Sequence, residues 1–141
     1  MAIYRKIVVA VDFSAHSEVV LGRAFALAGE FNAEIKVLNV VDYALPIDND
    51  YIQPPSDEVK DTLVGKAYER LDELLHFRDL SETDRSVVVG RPKLEILRFA
   101  EQMEADLIVI GAQGHHGIIG LLGSTTDRVV HKAACDVLVV R

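Results

Sequence analysis

The sequence predicts an α/β fold, a single doubly wound domain in which a five-stranded parallel sheet is covered by helices on both faces. Three observations carry this. Short unbroken apolar runs rich in β-branched residues alternate five times with longer segments of helical period, the pattern of parallel strands joined by helical crossovers. The fourth run leads at once into a glycine-rich stretch and then a helix start, from Asp106 to Asp127, a strand, loop and helix unit suited to holding an anion. The chain has 141 residues, half of them hydrophobic, which is the size of one ordinary domain with enough apolar material for a core, here taken as 1–141.

Taken in order, Ile7 to Val11 is the first strand, ending in Asp12-Phe13-Ser14, where Ser14 is placed to cap the next segment. In that segment Val20, Ala24, Leu27, Ala28 and Phe31 recur at three- and four-residue steps, so one stripe of a first helix faces the sheet. Ile35 to Val41 is the second strand, and Asp42 to Ser56, with three of the four prolines, reads as a surface loop. The longest helix is expected from Asp57 to Phe77, with Leu63, Ala67, Leu71, Leu74 and Leu75 on one face. Ser86 to Val89 is the third strand, stopped by Gly90-Arg91-Pro92. Pro92 suits the first turn of a third helix that carries Leu94, Ile96, Leu97, Phe99 and Ala100. Leu107 to Ile110 is the fourth strand, and Val137 to Val140, preceded by Asp136, the fifth.

Between those last two strands, Gly111, Gly114, Gly117, Gly120 and Gly123 recur every third residue, so five of the nine glycines fall within 13 positions. Such a backbone can approach a ligand closely, and the first N–H groups of the following helix have no internal partners. Ser124, with Asp127 three residues on, forms a capping-box-like pair for a helix that runs through Val129, Val130 and Ala133. Backbone donors, the Ser124 and Thr125 hydroxyls and the helix dipole would together hold phosphate oxygens. The competing reading is a tight strand-to-helix connection with no ligand.

Charge and composition exclude other classes. A formal net charge of −7 and the lack of any Lys/Arg cluster argue against nucleic-acid and anionic-membrane partners. The one cysteine, Cys135, cannot form an internal disulfide, and no run is long enough for a signal core or a membrane span, which favours the cytoplasm. There is no Gly-x4-Gly-Lys-Ser/Thr loop, and the turn after the third strand carries Gly90 where a receiver domain of similar fold needs an aspartate.

With the flavodoxin-like strand order 3-2-1-4-5, ligands would sit beyond the carboxyl ends of strands one and four, where the order reverses. Asp12, Val40 and the Gly111 loop would then converge from three distant segments.

These residues resemble the universal stress protein family over nearly the whole chain. Ile7 to Ser14 is similar to its first strand, Asn39-Val40-Val41 to the end of its second, and Gly90-Arg91-Pro92 to the turn before its third helix. The most specific likeness is Gly111-Ala112-Gln113-Gly114 through Gly123-Ser124-Thr125, closed by Cys135 to Val140. The ATP-binding branch commonly shows Gly-x2-Gly-x9-Gly-Ser/Thr, and here the spacer between Gly114 and Gly123 has eight residues. The resemblance implies an adenine nucleotide (ATP, with AMP or ADP as alternatives). Asp12 would lie at the adenosine end, the Val40 backbone at the adenine edge, Gly111 at the ribose, and Gly114, Gly123, Ser124 and Thr125 on the phosphates. For Asp12 a turn-making, helix-capping carboxylate is the competing role, and for Val40 ordinary core. The stretch from Gly111 to Ser124 contains no Lys or Arg and offers only His115 and His116, so Mg²⁺ is expected to accompany ATP, with no metal-ligating residues assigned. Binding is expected to strengthen as those histidines charge below about pH 6.5 unless they form only a solvated loop tip.

The resulting expectation is a cytoplasmic stress-response protein that binds an adenine nucleotide as a regulatory module, with at most slow hydrolysis because no Lys or base is placed at the terminal phosphate. A scaffold of the same family that binds no nucleotide, and a slow ATPase or phosphotransferase, are the competing readings. The terminal strand, Val137, Leu138, Val139 and Val140, would lie at a sheet edge with no Lys, Pro or bulge to protect it, which predicts a homodimer through that edge; the alternative is a monomer with the edge covered.

Overall fold

A computed structural model describes residues 3–42, 56–76, 84–112 and 122–141. Within them the elements alternate as β1 (Lys6–Ala10), α1 (Ser17–Phe31), β2 (Glu34–Val41), α2 (Asp57–Leu74), β3 (Arg85–Val89), α3 (Pro92–Gln102), β4 (Leu107–Gly111), α4 (Ser124–Lys132) and β5 (Asp136–Val140). Gly114, His115 and His116 lie outside the described residues, as does nearly all of the expected loop between β2 and α2.

All strand pairs are parallel and the order is β3-β2-β1-β4-β5, the flavodoxin-like arrangement expected from the alternation. The unbroken apolar runs follow from burial on both faces. Ile7, Val9 and Val11 of β1 and the turn beyond it pack with Leu107 and Val109 against α1 and α2. Val8 and Ala10 point the other way, with Ile108 and Ile110, against Ile96, Phe99 and Ala100 of α3 and Val129 of α4. Ile7, Val8 and Val9 are all fully inaccessible, so the alternation that would mark a half-exposed strand is absent. The outer strands β3 and β5 are mostly half-buried, as their edge positions require.

Two expected caps are corrected. Ser14 does not cap α1, which begins at Ser17 with His16 as its N-cap residue and no side-chain cap. The Asp12 carboxylate intervenes: it accepts the Ser14 N–H at 3.0 Å and the Ser17 hydroxyl at 3.4 Å, an Asx turn after which the N-cap falls two residues beyond Ser14, at His16. Ser124 does not cap α4 either. Gly123 holds the N-cap position with extended backbone, its carbonyl accepts the Asp127 N–H at 2.9 Å, and Ser124 is already the first helical residue. The stripe on α4 shifts accordingly: Thr126 and Val129 are buried, whereas Val130 is exposed. On the other helices Leu63 and Leu94 are exposed at the ends of their stripes, while Pro92 opens α3 as expected.

The amino ends of the central strands are tied by Asp106. Its carboxylate accepts the backbone N–H groups of Arg5 at 2.9 Å and Lys6 at 3.1 Å, which joins the start of β1 to the residue before β4. The carboxyl ends, by contrast, diverge into the turn after β1 and the loop after β4, because β1 has β2 on one side and β4 on the other and the crossovers leave in opposite directions.

Candidate functional site

At those carboxyl ends lies a cleft of about 730 Å³. Its floor is the sheet edge itself, with Ala10, Val11, Leu38, Val40 and Ile110. Asp12, Phe13 and Ser14 border it after β1, Gly111 after β4, and Gly123, Ser124, Thr125 and Thr126 at the start of α4. Of the seven residues expected at the site, Asp12, Val40, Gly111, Gly123, Ser124 and Thr125 therefore meet in one cleft, although 113 positions separate the first from the last. Gly114 is among the residues not described.

Buried polar groups set this geometry. Thr126, 3 % exposed, donates its hydroxyl to the Gly111 carbonyl at 2.6 Å, and the Gly123 N–H donates to the Ala112 carbonyl at 2.9 Å. These two bonds dock the amino end of α4 onto the end of β4, where Gly123 to Thr126 line the cleft. With Gly123 in the N-cap position, no side chain caps the helix, so the Ser124 and Thr125 hydroxyls are not consumed by capping. Asn39, buried in β2, donates its amide to the Val11 carbonyl at 2.9 Å and so holds the strand end from which Val40 follows. His16 adds a ring-nitrogen contact of 3.2 Å to the Val140 carbonyl, linking the start of α1 to the end of β5.

Thr126, Asn39, Lys66 and Arg70 are among the cleft residues that lay beyond the sequence reading. Thr126 and Asn39 carried a faint signal, a third consecutive hydroxyl and a lone polar residue in an apolar strand. Lys66 and Arg70 carried none, because the periodicity of α2 does not say which sector of its polar surface turns toward a cleft built from other elements. They bring to the cleft two cations from outside the Gly111 to Ser124 stretch, which itself has no Lys or Arg. The Arg70 guanidinium lies 4.4 Å from the centroid of the Phe13 ring. Phe13 has a backbone φ of 64°, the left-handed region that a bulky residue rarely occupies.

Asp12 and Asp42 bring carboxylates to the cleft, the ligand class Mg²⁺ uses beside phosphate oxygens, and among the described residues no group of three or more His, Cys, Asp or Glu side chains could hold a metal unaided. Cys135 stands at the amino end of β5, the far end of the sheet, and burial, with the Asp136 and Asp106 carboxylates adding to it, pushes its thiol up; it is no activated nucleophile.

The sequence model of the Universal stress protein family matches residues 3–141. A curated relative, universal stress protein A homolog 1 of Coxiella burnetii, is 33 % identical over 138 residues, 97 % of this chain and 96 % of that protein. Among solved structures, UspA of Lactobacillus plantarum superposes with a TM-score of 0.81 at 31 % identity, covering 98 % of each chain. A universal stress protein in complex with cAMP superposes with a TM-score of 0.62 at 27 % identity, covering all of this chain and 98 % of that one.

Proposed function

The chain belongs to the universal stress protein family, and we propose that it is a regulatory member that binds an adenine nucleotide, ATP with Mg²⁺ foremost, in the cleft at the switch point of its sheet. The observation that carries this reading is the convergence of Asp12, Val40 and Gly111 with Gly123, Ser124 and Thr125 around one opening. The likeness to a family member solved with cAMP supports the adenine-nucleotide class.

In this reading the adenine edge meets the Val40 backbone, Asp12 lies at the adenosine end, and Gly111 admits the ribose. The phosphates meet the N–H groups at the start of α4, the Ser124 and Thr125 hydroxyls, and Gly114 and Gly123. Mg²⁺ would supply neutralising charge to the phosphates, and Asp42, a carboxylate lining the cleft, would help to hold it. No general base is assigned to the terminal phosphate, so in this reading the outcome of binding is a change of shape or partner, with hydrolysis slow at most.

One unit spanning 1–141 would do this, in the cytoplasm, as a homodimer whose β5 edges meet antiparallel. Among the described residues no helix is long and apolar enough to cross a membrane. The β5 side chains bear on how the dimer is tested. Val140 is 3 % exposed and Leu138 packs into the core, so replacing both with Lys would unfold the chain rather than split a dimer. Light scattering of the wild type is the direct measurement, with twice the 15.6 kDa chain mass expected.

Denaturing the purified protein and identifying the released nucleotide, followed by calorimetry with Mg·ATP, tests the binding reading. Gly123→Val and Gly114→Val should abolish most of the heat, since a branched side chain would fill the space where backbone meets phosphate. A wild type without heat at millimolar ATP, or variants that bind as well as it does, would remove the assignment.

A further inference from the structure

The cleft holds a pair of cations to which the nucleotide reading gives no role. Lys66 and Arg70 stand one turn apart on α2 and line the cleft with Leu63 and Ala67. Ala67 is buried, which fixes this face of the helix toward the opening. Among the described residues neither cation makes an ion pair. Arg70 instead lies over Phe13, 4.4 Å from its ring centroid, and Phe13 holds the left-handed backbone noted above, with φ of 64°. Strain of this kind persists where the surrounding structure over-determines it, and it gathers at ligand sites.

The helices place this pair in a particular way. Leu71 of α2 packs on one face of the sheet and Val129 of α4 on the other, so the cleft between them is bordered from both faces. The α4 side offers N–H groups and hydroxyls but no side-chain charge at Gly123, Ser124 or Thr125, and the chain from Gly111 to Ser124 contains no Lys or Arg. The remaining acidic groups lining the cleft are the Asp12 and Asp42 carboxylates, and His16 lines it as well. A phosphorylated ligand adds negative charge to a cleft that already holds those carboxylates, and the fixed side-chain cations that line it stand on α2.

We infer that α2 is the cationic wall of this cleft: Lys66 and Arg70 recognise the phosphate charge of a bound nucleotide, and Phe13 is the positioning residue that holds the Arg70 guanidinium at the opening. This rests on the nucleotide reading and adds a selection rule to it. Affinity rises with the number of phosphates, because a guanidinium fork and an ammonium gain charge-assisted bonds only from anionic oxygens. The attraction weakens with salt, since both side chains are solvent-exposed.

Calorimetry with ATP, AMP and uncharged adenosine, at low and high salt, tests this on the wild type, on Lys66→Gln/Arg70→Gln and on Phe13→Leu. The double variant should lose roughly tenfold or more in ATP affinity, less for AMP, and keep adenosine binding within about twofold. Its salt dependence should flatten. Phe13→Leu should weaken ATP as well, and that loss should vanish when Arg70 is already Gln, which a merely structural role for the ring would not produce. Unchanged circular dichroism melting confirms folding; should the double variant misfold, the single Lys66→Gln and Arg70→Gln variants are read in the same way. A double variant that binds ATP like the wild type, or that loses adenosine and ATP equally, overturns the cationic wall and leaves the nucleotide site standing. A wild type that binds neither ATP nor adenosine overturns both.

Discussion

Replacing Thr126 with Val separates what docks α4 from what would hold a ligand. Valine keeps the branched shape and removes only the hydroxyl, which donates to the Gly111 carbonyl at 2.6 Å from a position 3 % exposed. Little water reaches that site to replace the lost donor, so the expected cost is about 1 to 3 kcal/mol, the usual range for a buried polar group deprived of its partner. For a chain of this length that is a drop in melting temperature of about 3 to 12 °C. The Gly123 N–H bond to Ala112 remains, so α4 should stay formed but less firmly fixed against β4, and nucleotide affinity should fall together with stability. Ser124→Ala is the control. As the first helical residue with no cap bond, Ser124 should lose well under the ~1 kcal/mol typical of a deleted cap, while phosphate binding weakens. Differential scanning calorimetry and nucleotide titration of both variants decide the matter. Equal melting of Thr126→Val and wild type, or a Ser124→Ala melting point as low as that of Thr126→Val, would refute the docking argument.

Asp106→Ala should cost about 1 to 3 kcal/mol in urea denaturation, because the carboxylate accepts N–H groups from both Arg5 and Lys6, yet it should leave nucleotide affinity unchanged, since this tie closes the opposite end of the strands. Cys135 should alkylate slowly at neutral pH. Burial foremost, and then the Asp136 and Asp106 carboxylates, favour the neutral thiol, so the alkylation rate followed by mass spectrometry should still be climbing where an ordinary cysteine has levelled off; a plateau at or below the ordinary cysteine range would contradict this.

Sequence by itself determined the elements, their order and the parallel sheet, and the reason is physical. Ile7 to Val11 and Leu107 to Ile110 are apolar at every position because both of their faces are buried, and such runs separated by helical segments leave parallel pairing with crossovers as the solution. The glycines and hydroxyls after β4 were legible for the same reason, since their chemistry lies within one short stretch. What depended on competition between neighbouring groups was not. Ser14 and Ser124 are both good capping residues, but with the Asp12 carboxylate in its turn and the extended backbone of Gly123 the N-caps fall two residues later, at His16, and one residue earlier, at Gly123. The partners that converge from afar were hidden altogether: Thr126 finds Gly111, Asn39 finds Val11, and Arg70 finds Phe13 only once the sheet has been assembled. A local pattern records which face of a helix is apolar, and α2 shows it at Ala67 and Leu71. Which charged flank of that face meets a cleft is decided by how the helix lies on the sheet, and that is a property of the tertiary structure alone.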